Sequence, residues 1–517
     1  MIKKRIKLQL KKAVSMFMGA ALPGIMCMAL LTAGLTGCGS ILTKTAKDQT
    51  RESMQQEQMK ERGDHVSGQE KNPQMTEETG PDQESSAEDT GSKAGSPVIW
   101  NRSLPSDVTL PSSYDYREHG RAPKIGNQGS LGTCWAFASL TALESTLLPD
   151  KKETFSVDHM SMHNHFLLGQ DEGGEYTMSM AYLLSWEGPV WESEDPYGDG
   201  ISPDGLKARE HVQEIQILPS KDYEAIKRAV YLEGGVQSSL YTSMRDYESE
   251  SVYYNRETNS YCYIGTEKPN HDSVIVGWDD NYPKENFNME LEGDGAFICT
   301  NSWGENFGDQ GYFYVSYYDT NIGVHNIVYT GIKPTDNYDK IYQSDLCGWV
   351  GQIGYGEDTA WFANAYRTEK VEELAAAGFY ATGPDTEYKI YLARNLPDEN
   401  RADAAGKDRF RQDHGLESAL NRRTLLAEGT LEYSGYYTVP LGERIVLDQG
   451  EKFAIIVEIK TPDTVHPVAI EYDAGDGIAQ VTLEDGEGYL SHNGSLWEHV
   501  EETQKCNLCL KVYTDIK

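Results

Sequence analysis

The punctuation of the chain changes once within its ordered part, and that change limits the folds open to it. From Leu110 to about Lys333, helical and strand patterns mix: Phe137, Leu140, Leu143 and Leu147 fall at helical intervals, while Asp272–Asp279 is an apolar strand. From about Asp336 onward, short runs such as GFYAT, YKIYLAR, KFAIIVEIK and HPVAIEY are separated by Gly, Pro, Asn and Asp. That spacing predicts antiparallel strands packed as a β-sandwich. An α+β body followed by an all-β body is therefore expected, and 517 residues exceed what one core serves.

Residues 39–97 belong to neither body. They are rich in Glu, Gln, Ser, Lys and Gly and lack aromatic side chains until Trp100, so they cannot bury enough apolar area to offset the entropy of ordering. A tether over residues 38–97 is the expectation. Upstream, MIKKRIKLQLKK carries six positive charges and precedes an apolar run from Ala13 to Leu35, the pattern of an export leader. Leu35-Thr36-Gly37-Cys38 resembles a bacterial lipobox. This resemblance implies cleavage after residue 37, lipid on Cys38 and a body held at the extracellular face of the membrane; an uncleaved span is the alternative. The formal charge of −35 argues against nucleic acid as a partner.

Beyond Cys27 and Cys38, six cysteines remain in a long chain, too sparse for a disulfide scaffold. Cys506 and Cys509 form a C-x-x-C without a second pair or a His cluster, so they read as residues of a terminal strand rather than a metal site. No cofactor is expected. Cys134 stands apart, at the junction where the glycine-rich GNQGSLGT meets the apolar helix CWAFASLT. A helix N-terminus favours thiolate over thiol. His271 opens the strand HDSVIVGWDD, Asn301 follows the strand GAFICT, and Gln128 lies six residues before Cys134. Together they offer nucleophile, base, orienter and oxyanion donor, with Trp303 shielding the His–Asn bond.

These residues resemble the papain-like cysteine peptidases. LPSSYDYREHG, GNQGSLGTCWAFAS, GGEYTMSMAYLLSWEGPVWESEDPY, GGVQSSLY, NHDSVIVGWDD and TNSWGENFGDQGYFYVSYYD carry the likeness in the family's order over residues 110–333. The resemblance implies a two-lobed fold, one lobe helical and one barrel-like, and a Cys134–His271–Asn301 endopeptidase assisted by Gln128. It also implies a peptide-binding cleft, for which Gly173, Gly174, Tyr176, Met178 and Trp303 are the candidate contacts, with helix-core packing the alternative for Tyr176 and Met178. Leu131 occupies the place of a disulfide-forming cysteine, so packing of Leu131 is expected to brace the loop. The family's helical prodomain has no counterpart, and residues 98–109, with Ile99, Trp100 and Leu104, are expected to lie along the cleft as a short pro-segment. Residues 336–517 resemble the lectin-like β domain that follows such peptidases in clostridial surface proteins. Wall carbohydrate is the partner this implies, with Trp349, Tyr355, Trp361 and Trp497 as stacking candidates, although core aromatics are the commoner case. A non-catalytic adhesin, a carbohydrate- or wall-binding protein and a transpeptidase sharing the same thioester are the competing readings.

Overall fold

The computed structural model describes residues 97–397, 414–475, 477–483 and 487–517. The expected leader, the Cys38 lipid site and the tether up to residue 96 lie outside the described residues. No helix among the described residues is long and apolar enough to cross a membrane.

The helix Cys134–Leu147 occupies the middle of the first body and buries ten side chains, among them Trp135, Leu140 and Leu143. A helix apolar on most sides must be enclosed, and this one lies between the helices Val157–Met162 and Tyr176–Leu184 and a sheet containing His271–Asp279 and Asn326–Lys333. His271–Asp279 pairs antiparallel with Val236–Leu240 on one side and Ala296–Thr300 on the other. It is almost wholly buried, which explains its continuous apolar run SVIVGW.

The C-terminal β region does not form a separate stack. His211–Ile217 pairs with Asn326–Lys333 along one edge and with the long strand Ser434–Leu447 along the other, in the register Ser434↔Ile217 to Tyr437↔Glu214. One 13-stranded sheet therefore runs from the first body into the second, continuing through Glu372–Ala381 and Leu510–Ile516. A seven-stranded sheet contains the strands Thr359–Arg367, Lys452–Lys460 and Arg423–Leu431. The apolar core of the second body is filled by residues of both sheets, such as Phe379, Val439, Phe453 and Val457.

Residues 98–104 depart from the expected course along the cleft. Val98–Ile99 instead adds a parallel strand to the edge strand Arg423–Leu431 of the seven-stranded sheet. Leu104, 2% exposed, then enters the core of the first body. The apolar residues Ile99, Trp100 and Leu104 that suggested cleft binding serve a sheet edge and a core instead.

Candidate active site

The antiparallel register Val274↔Thr300 sets the start of one strand beside the end of its neighbour. His271 and Asn301, 30 residues apart, thereby meet: His271 Nε2 lies 2.8 Å from Asn301 Oδ1. The Ser302 backbone N–H donates to the same Oδ1 at 2.8 Å. Because a backbone amide can only donate, this bond fixes Oδ1 as the oxygen, and His271 Nε2 must carry its proton toward it. The other ring nitrogen, Nδ1, is left for chemistry. Trp303, 4% exposed, sets its ring 5.0 Å from the imidazole and excludes water from the bond. Burial holds the His271 imidazole below its ordinary pKa, while the Asn301 bond and the Asp272 charge pull it back up.

Gln128 joins the same network. Its Oε1 accepts from Ser302 Oγ at 2.6 Å, and its backbone N–H donates to Ser302 O at 2.8 Å. One of its two amide hydrogens is donated to Leu131 O at 2.7 Å, leaving the second for an oxyanion. Gln128, Ser302, Asn301 and His271 thus form one hydrogen-bonded row.

Cys134 begins its helix. None of the six cysteines among the described residues is in a disulfide; five are buried and Cys134 alone is partly exposed. Gln237 couples its helix to the His271 strand: Gln237 Nε2 donates to Asp272 Oδ2 at 2.9 Å and to Trp135 O at 3.4 Å, while its Oε1 accepts from Ser139 Oγ and Tyr329 OH. The neighbour of Cys134 and the neighbour of His271 are held by one side chain.

The loop before Cys134 is braced by hydrogen bonds, not by the expected packing of Leu131, which is only partly buried. Tyr197 OH donates to Gln128 O at 3.0 Å and lies 2.7 Å from Thr133 Oγ1. Gly132 N–H donates to Gln170 O at 2.7 Å. A Cβ on Gly132 would sit 2.8 Å from the Gly173 nitrogen, so only glycine allows the two loops to approach this closely. Tyr197, Gln170, Gln237 and Ser302 were not among the residues expected from the sequence. Tyr197 ends the SEDPY run and Gln237 stands in GGVQSSLY, but their partners lie far away in sequence and no local pattern marks them.

The candidate cleft residues divide. Gly173, with φ +88°, has open space where a side chain would be, whereas a Cβ on Gly174 would strike the Trp135 indole. Tyr176 is half-buried, its ring 6.0 Å from His325. Met178, 3% exposed, corrects the expectation: it turns into the core. Trp303 is likewise buried over His271 and does not present a substrate-binding face, leaving its shielding role. In the second body, Trp361 is crowded by Arg423, Tyr391 and Gly494, and Trp349 packs toward Tyr380.

Residues 110–332 match the papain family cysteine protease model, and residues 341–514 match the lectin like domain model. The chain carries a papain-family domain and a lectin-like domain. Over 235 residues the papain-family domain is 31% identical to cathepsin S of Rattus norvegicus, and over 210 residues 26% identical to cathepsin K of Mus musculus. These matches cover 42% and 39% of this chain and 64% and 59% of those relatives, so the chain spans somewhat under two thirds of their length. Both domains together match the clostridial cysteine protease Cwp84 after propeptide cleavage, with a TM-score of 0.66 and 26% identity over 79% of this chain and 100% of that one. A second structure, the cysteine protease and lectin-like domains of Cwp84, a surface layer associated protein of Clostridium difficile, gives a TM-score of 0.65 and 25% identity over 79% of this chain and 90% of that one. The papain-family domain and the lectin-like domain thus occur in the same order in a solved relative.

Proposed function

We propose that the chain is a cysteine endopeptidase whose nucleophile is Cys134. The observation that carries this reading is the His271–Asn301 bond at 2.8 Å beneath Trp303, beside the helix that Cys134 opens. The Cys134 thiolate, favoured by the helix N-terminus, attacks the peptide carbonyl carbon. The carbonyl oxygen becomes an oxyanion held by the Cys134 backbone N–H and the remaining Gln128 amide hydrogen. His271 Nδ1–H gives its proton to the leaving amine as the C–N bond breaks, and an acyl-thioester remains. Water, deprotonated by the now neutral imidazole, then cleaves the thioester and restores the pair.

The open space at Gly173 favours an extended substrate backbone alongside that loop. The leader and the Cys38 motif support export and a lipid tether, and the likeness to a surface layer associated protein supports substrates among surface or wall proteins. In this reading the lectin-like domain contacts wall carbohydrate. Tyr355 is the aromatic candidate left for it, since Trp361 and Trp349 are packed by neighbours and Trp497 packs against the same core cluster as Trp361.

Labelling by a thiol-reactive epoxide peptide mimic tests the assignment, with casein digestion measured beside it. Both are expected in the native chain and absent in Cys134→Ala; labelling that survives the substitution rejects the nucleophile. Amine-linked products in place of hydrolysed ones would reassign the chemistry to transpeptidation.

A further inference from the structure

The segment 97–104 touches both domains, and its surroundings are shaped to receive it. Val98 and Ile99 pair with Ala427 and Glu428. Trp100 N–H then donates to Glu428 O at 2.9 Å, Arg102 N–H to Thr430 O at 3.0 Å, and Glu432 N–H to Arg102 O at 3.0 Å. Tyr388 OH donates to Trp100 O at 2.7 Å, and Asn101 Oδ1 accepts the Thr430 N–H at 2.9 Å. Two glycines make room: a Cβ on Gly429 would lie 1.8 Å from Trp100 O, and one on Gly442 would lie 2.6 Å from Val98 Cγ2.

The far end of the segment grips the papain-family domain. Arg102 donates to Glu214 at 2.8 Å and to Glu233 at 3.0 Å, and the Leu104 side chain enters the core there, while Leu104 N–H donates to Glu432 Oε2 of the lectin-like domain at 2.9 Å. Immediately afterwards Pro105, Ser106, Asp107 and Thr109 are exposed.

We propose that the edge of Arg423–Leu431, together with the carboxylates of Glu214, Glu233 and Glu432, is a binding site for an extended apolar and basic peptide, occupied by the chain's own residues 97–104. Strand addition supplies backbone bonds, and the acidic cluster selects the arginine. The consequence is specific. Hydrolysis of a peptide bond within 105–109, in which water adds to give a new carboxylate and a new amine, leaves 97–104 docked without a covalent link. Whatever precedes residue 97 stays attached to both domains.

This inference is independent of the peptidase reading, so its test uses the Cys134→Ala chain. A recognition sequence for a site-specific protease is placed within 105–109 and cut, and the N-terminal fragment is followed by size-exclusion chromatography at about 1 µM. Co-elution with the body is expected, with dissociation at least about tenfold faster for Gly429→Ala and for Arg102→Ala. Thermal unfolding of each uncut variant verifies that the body is folded. Release of the unsubstituted fragment on cutting overturns the proposal, and so does equal retention by the unsubstituted chain and both folded variants.

Discussion

His271 Nε2 lies 2.8 Å from Asn301 Oδ1, and that oxygen is oriented by the Ser302 amide rather than by His271 alone. The asparagine is therefore held in place before the imidazole binds it. Asn301→Ala is expected to lower kcat about 10²-fold with KM little changed, because the ring loses its orienter and not its substrate contacts. Steady-state kinetics on a peptide substrate measure the split.

Asp272 raises the pKa of the neighbouring imidazole by its charge, against the lowering by burial. Removing that charge in Asp272→Asn makes the protonated ring less stable. The alkaline limb of kcat/KM, where the imidazolium loses its proton, is expected to move to lower pH. A profile that is unchanged, or moves upward, contradicts this electrostatic role.

Tyr197 braces the loop through its hydroxyl while its ring packs edge-on to Phe137 at 4.8 Å. Tyr197→Phe keeps the ring and loses the bonds. A fall in kcat of about tenfold, equivalent to ~1.4 kcal/mol, is expected with KM within about twofold and the melting temperature nearly unchanged. A purely structural tyrosine would instead lower the melting temperature and leave the kcat of the folded enzyme intact.

Burial pushes the Glu144 carboxyl up to about 8 from its ordinary 4.5, although Phe155 N–H donates to it at 2.8 Å. The unfolded chain gives up this proton near pH 4.5 and the folded chain near pH 8, so this group's contribution to stability falls as pH rises across that window. Glu144→Gln retains an acceptor for Phe155 and removes the titration. Denaturant unfolding is expected to show little difference at pH 4.5 and a gain on the order of 4 kcal/mol at pH 8.

The residues proposed to carry the chemistry stand out in the sequence because they sit at conspicuous local junctions: Cys134 where a glycine loop becomes an apolar helix, His271 at the head of a buried strand, Asn301 just past another. The strand expected over Asp272–Asp279 appears as His271–Asp279, and the expected helix as Cys134–Leu147. Their supports were not legible. Tyr197 reaches Gln128 across 69 residues, and Gln237 reaches Asp272 across 35, through side chains that no periodicity marks. Met178 was ambiguous for another reason: an apolar residue on a short helix reads the same whether it lines a cleft or fills a core. The course of residues 98–104 and the joining of His211–Ile217 to Ser434–Leu447 escaped notice because alternation identifies a strand but not which edge it will pair with.

The Ser434↔Ile217 pairing gives the junction the stiffness of sheet interior rather than of a linker. A flexible joint would let a cutting edge sweep an arc around whatever its companion grips. Here the bearing is fixed, so on the proposed reading the groove beside Cys134 would work only at one angle and one reach from whatever the lectin-like domain contacts.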